Sequence, residues 1–143
     1  MVRLREKYAN TLEDGLYVDE CGLHVSTSSG YLGTYPDGLV YKAGEVSGCI
    51  EIKCPYSARE KLVRDACTSQ FFCSKDENNR VFLKKCHNYY YQIQGQLAIL
   101  NLKWCDFVVW TTVDLHVERV KADREFWLKQ CLPKLITISC YQK

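Results

Sequence analysis

The run Cys49-Ile50-Glu51-Ile52-Lys53 constrains the fold of this chain more than any other stretch. Successive side chains of a β-strand point to opposite faces. As a strand, this run sets Glu51 and Lys53 on one face and Ile50 and Ile52 on the other. The isoleucine face asks for a core behind it, which leaves the other face free to carry an acid and an amine. Pro55 ends the strand, since proline has no N–H for a ladder. Upstream, Tyr35-Pro36-Asp37-Gly38 reads as a turn, and thirteen residues separate Asp37 from Glu51. Asp37 can therefore supply a second acid from the neighbouring strand. Two carboxylates hold hard divalent cations such as Mg²⁺ through oxygen. A lysine beside them can orient an attacking water or help to deprotonate it. Together these groups are the equipment for hydrolysing a phosphodiester.

The rest of the chain supplies the frame. Leu4, Tyr8 and Leu12 recur every fourth residue and predict a helix over 1–13. A short hairpin is expected over 16–25 and a loop over 26–30. Strands at 31–34 and 39–41 flank the Pro-Asp-Gly turn, and a second turn at 44–48 leads into the strand 49–53. A helix is expected over 57–72, a loop over 74–80 and a brief strand at 81–83. Tyr89, Ile93, Leu97 and Leu100 share one face of a helix that opens at Asn88. The β-branched and aromatic run 105–112 predicts a central strand, with 115–120 as its neighbour. A last helix starts at Asp123, with Trp127, Cys131, Leu135 and Ile138 inward and a kink at Pro133. This order predicts an α/β fold: a small mixed central β-sheet flanked by helices. Tyr89 is expected in the core, and His116 and Glu6 at the surface.

The 143 residues are enough for one ordinary domain. A composition of 47% hydrophobic and 25% charged residues is that of a soluble globular protein. No stretch approaches the roughly 18 apolar residues of a membrane span, and the charged segment Met1–Lys7 lacks the apolar core of a signal peptide. The expectation is an intracellular protein, nuclear or cytoplasmic, with no membrane partner. A net charge of +2 neither demands nor excludes nucleic acid. The basic clusters Arg59-Lys61-Arg64, Arg80-Lys84-Lys85 and Arg119-Lys121-Arg124 read, each alone, as solvated faces. The nine cysteines are scattered and read as free thiols of a reducing compartment. Cys67, Cys73, Cys86 and His87 lack the tight Cys-x-x-Cys pair of a zinc site.

Four motifs in sequence order resemble the PD-(D/E)XK nuclease superfamily, and within it the YqaJ-type viral recombinase family to which the lambda exonuclease is related. They are Tyr35-Pro36-Asp37-Gly38-Leu39-Val40, Glu51-Ile52-Lys53-Cys54-Pro55, the glutamine-bearing helix His87 to Leu97, and Cys105 to Thr111 followed by Val117-Glu118-Arg119-Val120. The resemblance runs from about Cys21 to Leu135 and implies a restriction-endonuclease-like core. It implies a Mg²⁺- or Mn²⁺-dependent deoxyribonuclease, an exonuclease of recombination or repair with a viral or mobile-element origin. Asp37 and Glu51 are implied as metal ligands, with the Ile52 carbonyl as a further oxygen, and Lys53 as the group that positions water. Gln94 is implied beside the site, selected over Gln92 because it adjoins the Ile93–Leu97 face. Gln92, Tyr90 and His87 are implied contacts for nucleic acid or for holding this helix. DNA is the implied partner, with RNA as an alternative, and a ring-forming homo-oligomer is compatible with the family. Residues 1–143 are expected to form a single nuclease-like domain that lacks part of the upstream helix bearing a third acid. For that reason a binding module on the nuclease fold, without turnover, stands as the rival to the enzyme, and an RNA endonuclease as a third reading.

Overall fold

The computed structural model describes residues 2–18 and 36–133. Its strands are β1 (Leu16–Val18), β2 (Gly38–Lys42), β3 (Glu45–Lys53), β4 (Cys73–Lys75), β5 (Val81–Leu83), β6 (Trp104–Trp110) and β7 (Leu115–Lys121). Its helices are α1 (Val2–Ala9), the single turn α2 (Val63–Ala66), α3 (Asn88–Leu100) and α4 (Arg124–Phe126). A five-stranded sheet has the order β1-β2-β3-β6-β7, and β4 and β5 form a separate antiparallel pair. In the larger sheet only β3 and β6 run parallel; their register sets Glu51 opposite Phe107 and Lys53 opposite Val109. The sheet is therefore mixed, as the sequence predicts.

Strand alternation sorts the core into two layers. Cys49, Cys105, Phe107 and Val109 pack with Ile93 and Leu97 of α3 and with Phe72 and Leu83. Val40, Ile50 and Val108 pack on the opposite face with Tyr8 of α1. Glu51 and Lys53 thus stand on the α3 face, and Ile50 and Ile52 on the α1 face. The buried cysteines behave as small apolar groups: burial pushes the Cys73 thiol up to about 12, far from a reactive thiolate.

A polar network fastens α1 to the sheet. The Tyr8 hydroxyl donates to Asp106 Oδ2 at 2.5 Å. Arg119 grips the same carboxylate with two bonds, at 2.9 and 3.1 Å. The Arg119 guanidinium lies 3.8 Å from the ring centroid of Trp104. That indole in turn covers Gly48, where a Cβ would come within 2.5 Å of the ring. Asp106 is 2% exposed, and a charge so deep requires such complete pairing.

Several boundaries differ from the sequence pattern. The turn expected at 44–48 is the two-residue turn Ala43-Gly44, with φ of 52° and 81°, and β3 begins at Glu45. Positive φ at both central residues matches the twist of a hairpin. The expected helix 57–72 is only a 3₁₀ turn at Tyr56–Ala58 and the single turn α2. Tertiary hydrogen bonds claim the backbone instead: the carbonyls of Arg59 and Lys61 accept from the Thr112 and Thr111 hydroxyls at 2.6 and 2.9 Å. The Val63 N–H donates to Asp114 at 2.8 Å. His116, expected at the surface, is half-buried, and its Nε2 is buried without a partner. The last helix starts with Asp123 as cap, accepting from the Phe126 N–H at 3.0 Å, and widens to a π-helix over Trp127–Cys131. Trp127 packs toward Gly95 of α3. The segments expected at 19–35, and Leu135 and Ile138, lie outside the described residues. Among the described residues, no helix is long and apolar enough to cross a membrane.

Candidate active site

Where β2 begins and β3 ends, the chain brings two acids together by main-chain bonding. The Asp37 N–H donates to the Ile50 carbonyl at 2.9 Å, and the Ile52 N–H donates to Asp37 Oδ2 at 2.6 Å. Asp37 is thereby clipped beside the backbone of the strand that carries Glu51. Glu51 is 4% exposed. Its Oε1 lies 3.4 Å from Lys53 Nζ, and its Oε2 accepts from Gln96 Nε2 at 2.9 Å. Burial, and then the negative charge of Asp37, raise the Glu51 carboxyl above the usual range, while Gln96 and Lys53 pull it down. The centre is a partly desolvated pair of carboxylates with a single ammonium beside it.

Lys53 has a second partner. Its Nζ sits 4.1 Å from the ring centroid of Tyr89, a distance at which the ring quadrupole attracts a cation. Tyr89 is half-buried, edge-on to Phe72 at 5.2 Å and to the His87 ring at 4.5 Å. His87 is the N-cap of α3: its Nδ1 accepts from the Tyr89 N–H at 3.1 Å. Desolvation, with Lys84 and Lys53 nearby, lowers the His87 pKa, which keeps that nitrogen free to accept. His87 thus holds the helix start and through it the ring under Lys53.

The glutamines divide differently from the expectation. Gln94, expected beside the acids, is 1% exposed and spends both polar atoms elsewhere. Its Nε2 donates to the Lys121 carbonyl at 2.9 Å, and its Oε1 accepts from the Asp123 N–H at 2.8 Å. It ties α3 to the β7–α4 junction. Gln96, to which the sequence reading gave no role of its own, is the one that reaches Glu51. The reason is geometric. The two residues are about 200° apart around the helix, one on each flank of the Ile93–Leu97 stripe, so the stripe cannot choose between them. The seven-residue interval between Tyr89 and Gln96, two turns of helix, was the available signal. Tyr90 lies on the Gln94 flank, 6% exposed and edge-on to Phe126 at 4.9 Å. It packs there, on the flank of α3 away from Glu51. Gln92 is exposed, four residues before Gln96.

Asp37, Glu51, Lys53 and Gln96 therefore converge, with His87 and Tyr89 at the rim, while Gln94 and Tyr90 do not join them. Among the described residues, no group of three or more His, Cys, Asp or Glu side chains gathers to hold a metal ion. The donors that do meet are oxygens, and the Gln96 Oε1 is buried there without a protein partner. Two carboxylates and a neutral oxygen suit a hard cation such as Mg²⁺ or Mn²⁺ rather than a thiolate-seeking one.

Comparison with known proteins bears on the family and the fold. A family model described as the YqaJ-like viral recombinase domain matches residues 3–112. No curated protein matches the chain. Among solved structures, the chain is similar to an alkaline exonuclease (LHK-Exo) from Laribacter hongkongensis. The two share 25% identity with a TM-score of 0.54, over 90% of this chain and 57% of the other. A structure of LHK-Exo in complex with dAMP is similar at 26% identity and a TM-score of 0.52, over 99% of this chain and 67% of that one. The chain thus spans little more than half the length of the first of these exonuclease structures.

Proposed function

The chain belongs to the YqaJ-like viral recombinase domain family, and on that premise we propose that it is a Mg²⁺- or Mn²⁺-dependent DNA nuclease. The observation that carries the proposal is the carboxylate pair of buried Glu51 and half-buried Asp37. Glu51 is held near Asp37 although burial and that charge both oppose its ionisation. Such an arrangement costs stability in the free chain and gains its use when a divalent cation neutralises it. Asp37 and Glu51 would hold the cation, and the Ile52 carbonyl is the further oxygen proposed for it. When bound, a divalent ion supplies Lewis acidity at the phosphate and an acidified water.

The chain's own residues do the rest. Lys53 Nζ, held between Glu51 and the Tyr89 ring, presents a positive charge where negative charge builds on the reacting phosphate. A group already in place stabilises a transition state better than one that must be reoriented. His87 and Tyr89 keep that ammonium from straying. Residues 1–143 act in this proposal as one nuclease domain. An exonuclease of recombination or repair is the finer form of the reading.

Among the described residues no third acid gathers with Asp37 and Glu51, which favours a second reading, a DNA-binding module that cleaves nothing. End-labelled linear DNA, circular DNA and RNA, each incubated with Mg²⁺, Mn²⁺ or EDTA, separate the two. Loss of label from linear DNA alone, dependent on metal, is the result expected of the exonuclease. DNA retained on the protein with no cleavage under any metal would establish the binding module, and cleavage of RNA alone would make it a ribonuclease.

A further inference from the structure

We propose that Gln96 is the third side chain of the cation site, fixing Glu51 with one end of its carboxamide and offering the other end as an oxygen donor. This rests on the nuclease reading above and adds a residue to it. Gln96 is 3% exposed. A buried carboxamide destabilises a fold unless both of its ends are bonded. Nε2 donates to Glu51 Oε2 at 2.9 Å. With Glu51 ionised the oxygen could not take that place, since it would meet a carboxylate oxygen without a proton between them. Oε1 has no protein partner, yet it belongs to the same planar group, one amide's width from the nitrogen that holds Glu51. An unpaired acceptor on the group that holds Glu51 is suited to a cation or to water bound by one.

The other helix glutamines cannot fill this role. Both polar atoms of Gln94 are bound to backbone on the far flank of α3, and Gln92 is exposed. A small divalent ion of the Mg²⁺ type binds through one or two carboxylates and keeps several positions for water and phosphate. A neutral third oxygen fits that pattern and leaves the site less negative than a third acid would.

The test is calorimetric titration of Mn²⁺ into the full chain without DNA, comparing wild type with Gln96→Met and Gln96→Glu. Methionine keeps the length and removes both donor and acceptor; glutamate also loses the donor to Glu51 but returns oxygen with a charge, and its repulsion of Glu51 is relieved only by a cation bound between them. Gln96→Met should weaken Mn²⁺ binding about tenfold or more, in the range seen when a metal site loses a supporting contact. Gln96→Glu should bind Mn²⁺ at least as tightly as wild type. Unchanged affinity in Gln96→Met overturns the proposal while leaving the nuclease reading standing. Weak binding in Gln96→Glu also overturns it, because the oxygen would then not face the ion. If wild type itself binds no Mn²⁺, both readings fall together. Should Gln96→Met not fold, melting of Gln96→Glu decides: a Mn²⁺-induced rise in Tm larger than in wild type is expected, and an equal or smaller rise refutes the assignment.

Discussion

Replacing Glu51 by glutamine should stabilise the metal-free chain and abolish its response to divalent cations. Glu51 is 4% exposed. Its attraction to Lys53 Nζ at 3.4 Å is worth about 5 kcal/mol at an effective dielectric of about 20. Against this stand several kcal/mol for taking a carboxylate out of water and the repulsion of Asp37. The second set wins, since the Glu51 carboxyl is raised above its ordinary value of 4.5, burial first and Asp37 also contributing. Folding therefore tightens the proton on Glu51. Stability from this group is fully present below the ordinary carboxyl value and is lost as pH rises through the folded one. Glu51→Gln keeps the shape and an acceptor for Gln96 while removing the charge. Lys53, left without its acid, is 21% exposed and keeps the Tyr89 ring, so the expected gain in the metal-free chain near neutral pH is about 1 kcal/mol, the low end of what replacing buried ionic groups by neutral ones returns. In wild type, Mn²⁺ at about a hundredfold its Kd adds roughly 2.7 kcal/mol, or about 10 °C in Tm for a chain of this size. Thermal melts of both proteins in EDTA and in Mn²⁺, across acid to neutral pH, measure all of this. A Glu51→Gln chain that melts well below wild type in EDTA, yet still gains about 10 °C with Mn²⁺, would refute the reasoning.

Lys53→Ala should leave DNA affinity in Ca²⁺ within a few-fold of wild type, since one lysine carries only a small share of phosphate attraction. Single-turnover cleavage in Mg²⁺ should fall by about a hundredfold or more, and a parallel loss of both would show Lys53 to be a binding residue only. Tyr8→Phe removes a 2.5 Å bond to the buried Asp106; denaturant unfolding should show a loss of about 1.5–3 kcal/mol, with Mn²⁺ affinity unchanged. Gly48→Ala sets a Cβ within 2.5 Å of the Trp104 ring and should cost about 1–3 kcal/mol as that indole is displaced, read by the same unfolding curve.

What the sequence by itself determined is local and periodic. The alternation through Ile50, Glu51, Ile52 and Lys53 decides which side chains face which layer, because a strand has a period of two whatever surrounds it. The stripe Tyr89, Ile93 and Leu97 decides that α3 is a helix and which face it buries, and Asp123 decides where the last helix begins. Those regularities, with the turn at Asp37-Gly38, were enough for the mixed α/β class and for expecting Asp37, Glu51 and Lys53 close together, as they lie. Tertiary structure decided what no period encodes. Thr111, Thr112 and Asp114, far along the chain, take the backbone groups of residues 59, 61 and 63 and break the helix that local propensity favours there. The way α3 lies across β3 turns Gln96 to Glu51 and Gln94 to the β7–α4 junction. Both glutamines flank the same apolar stripe, so only the angle and depth at which the helix docks, set by packing against Phe72, Leu83 and Phe107, could separate them.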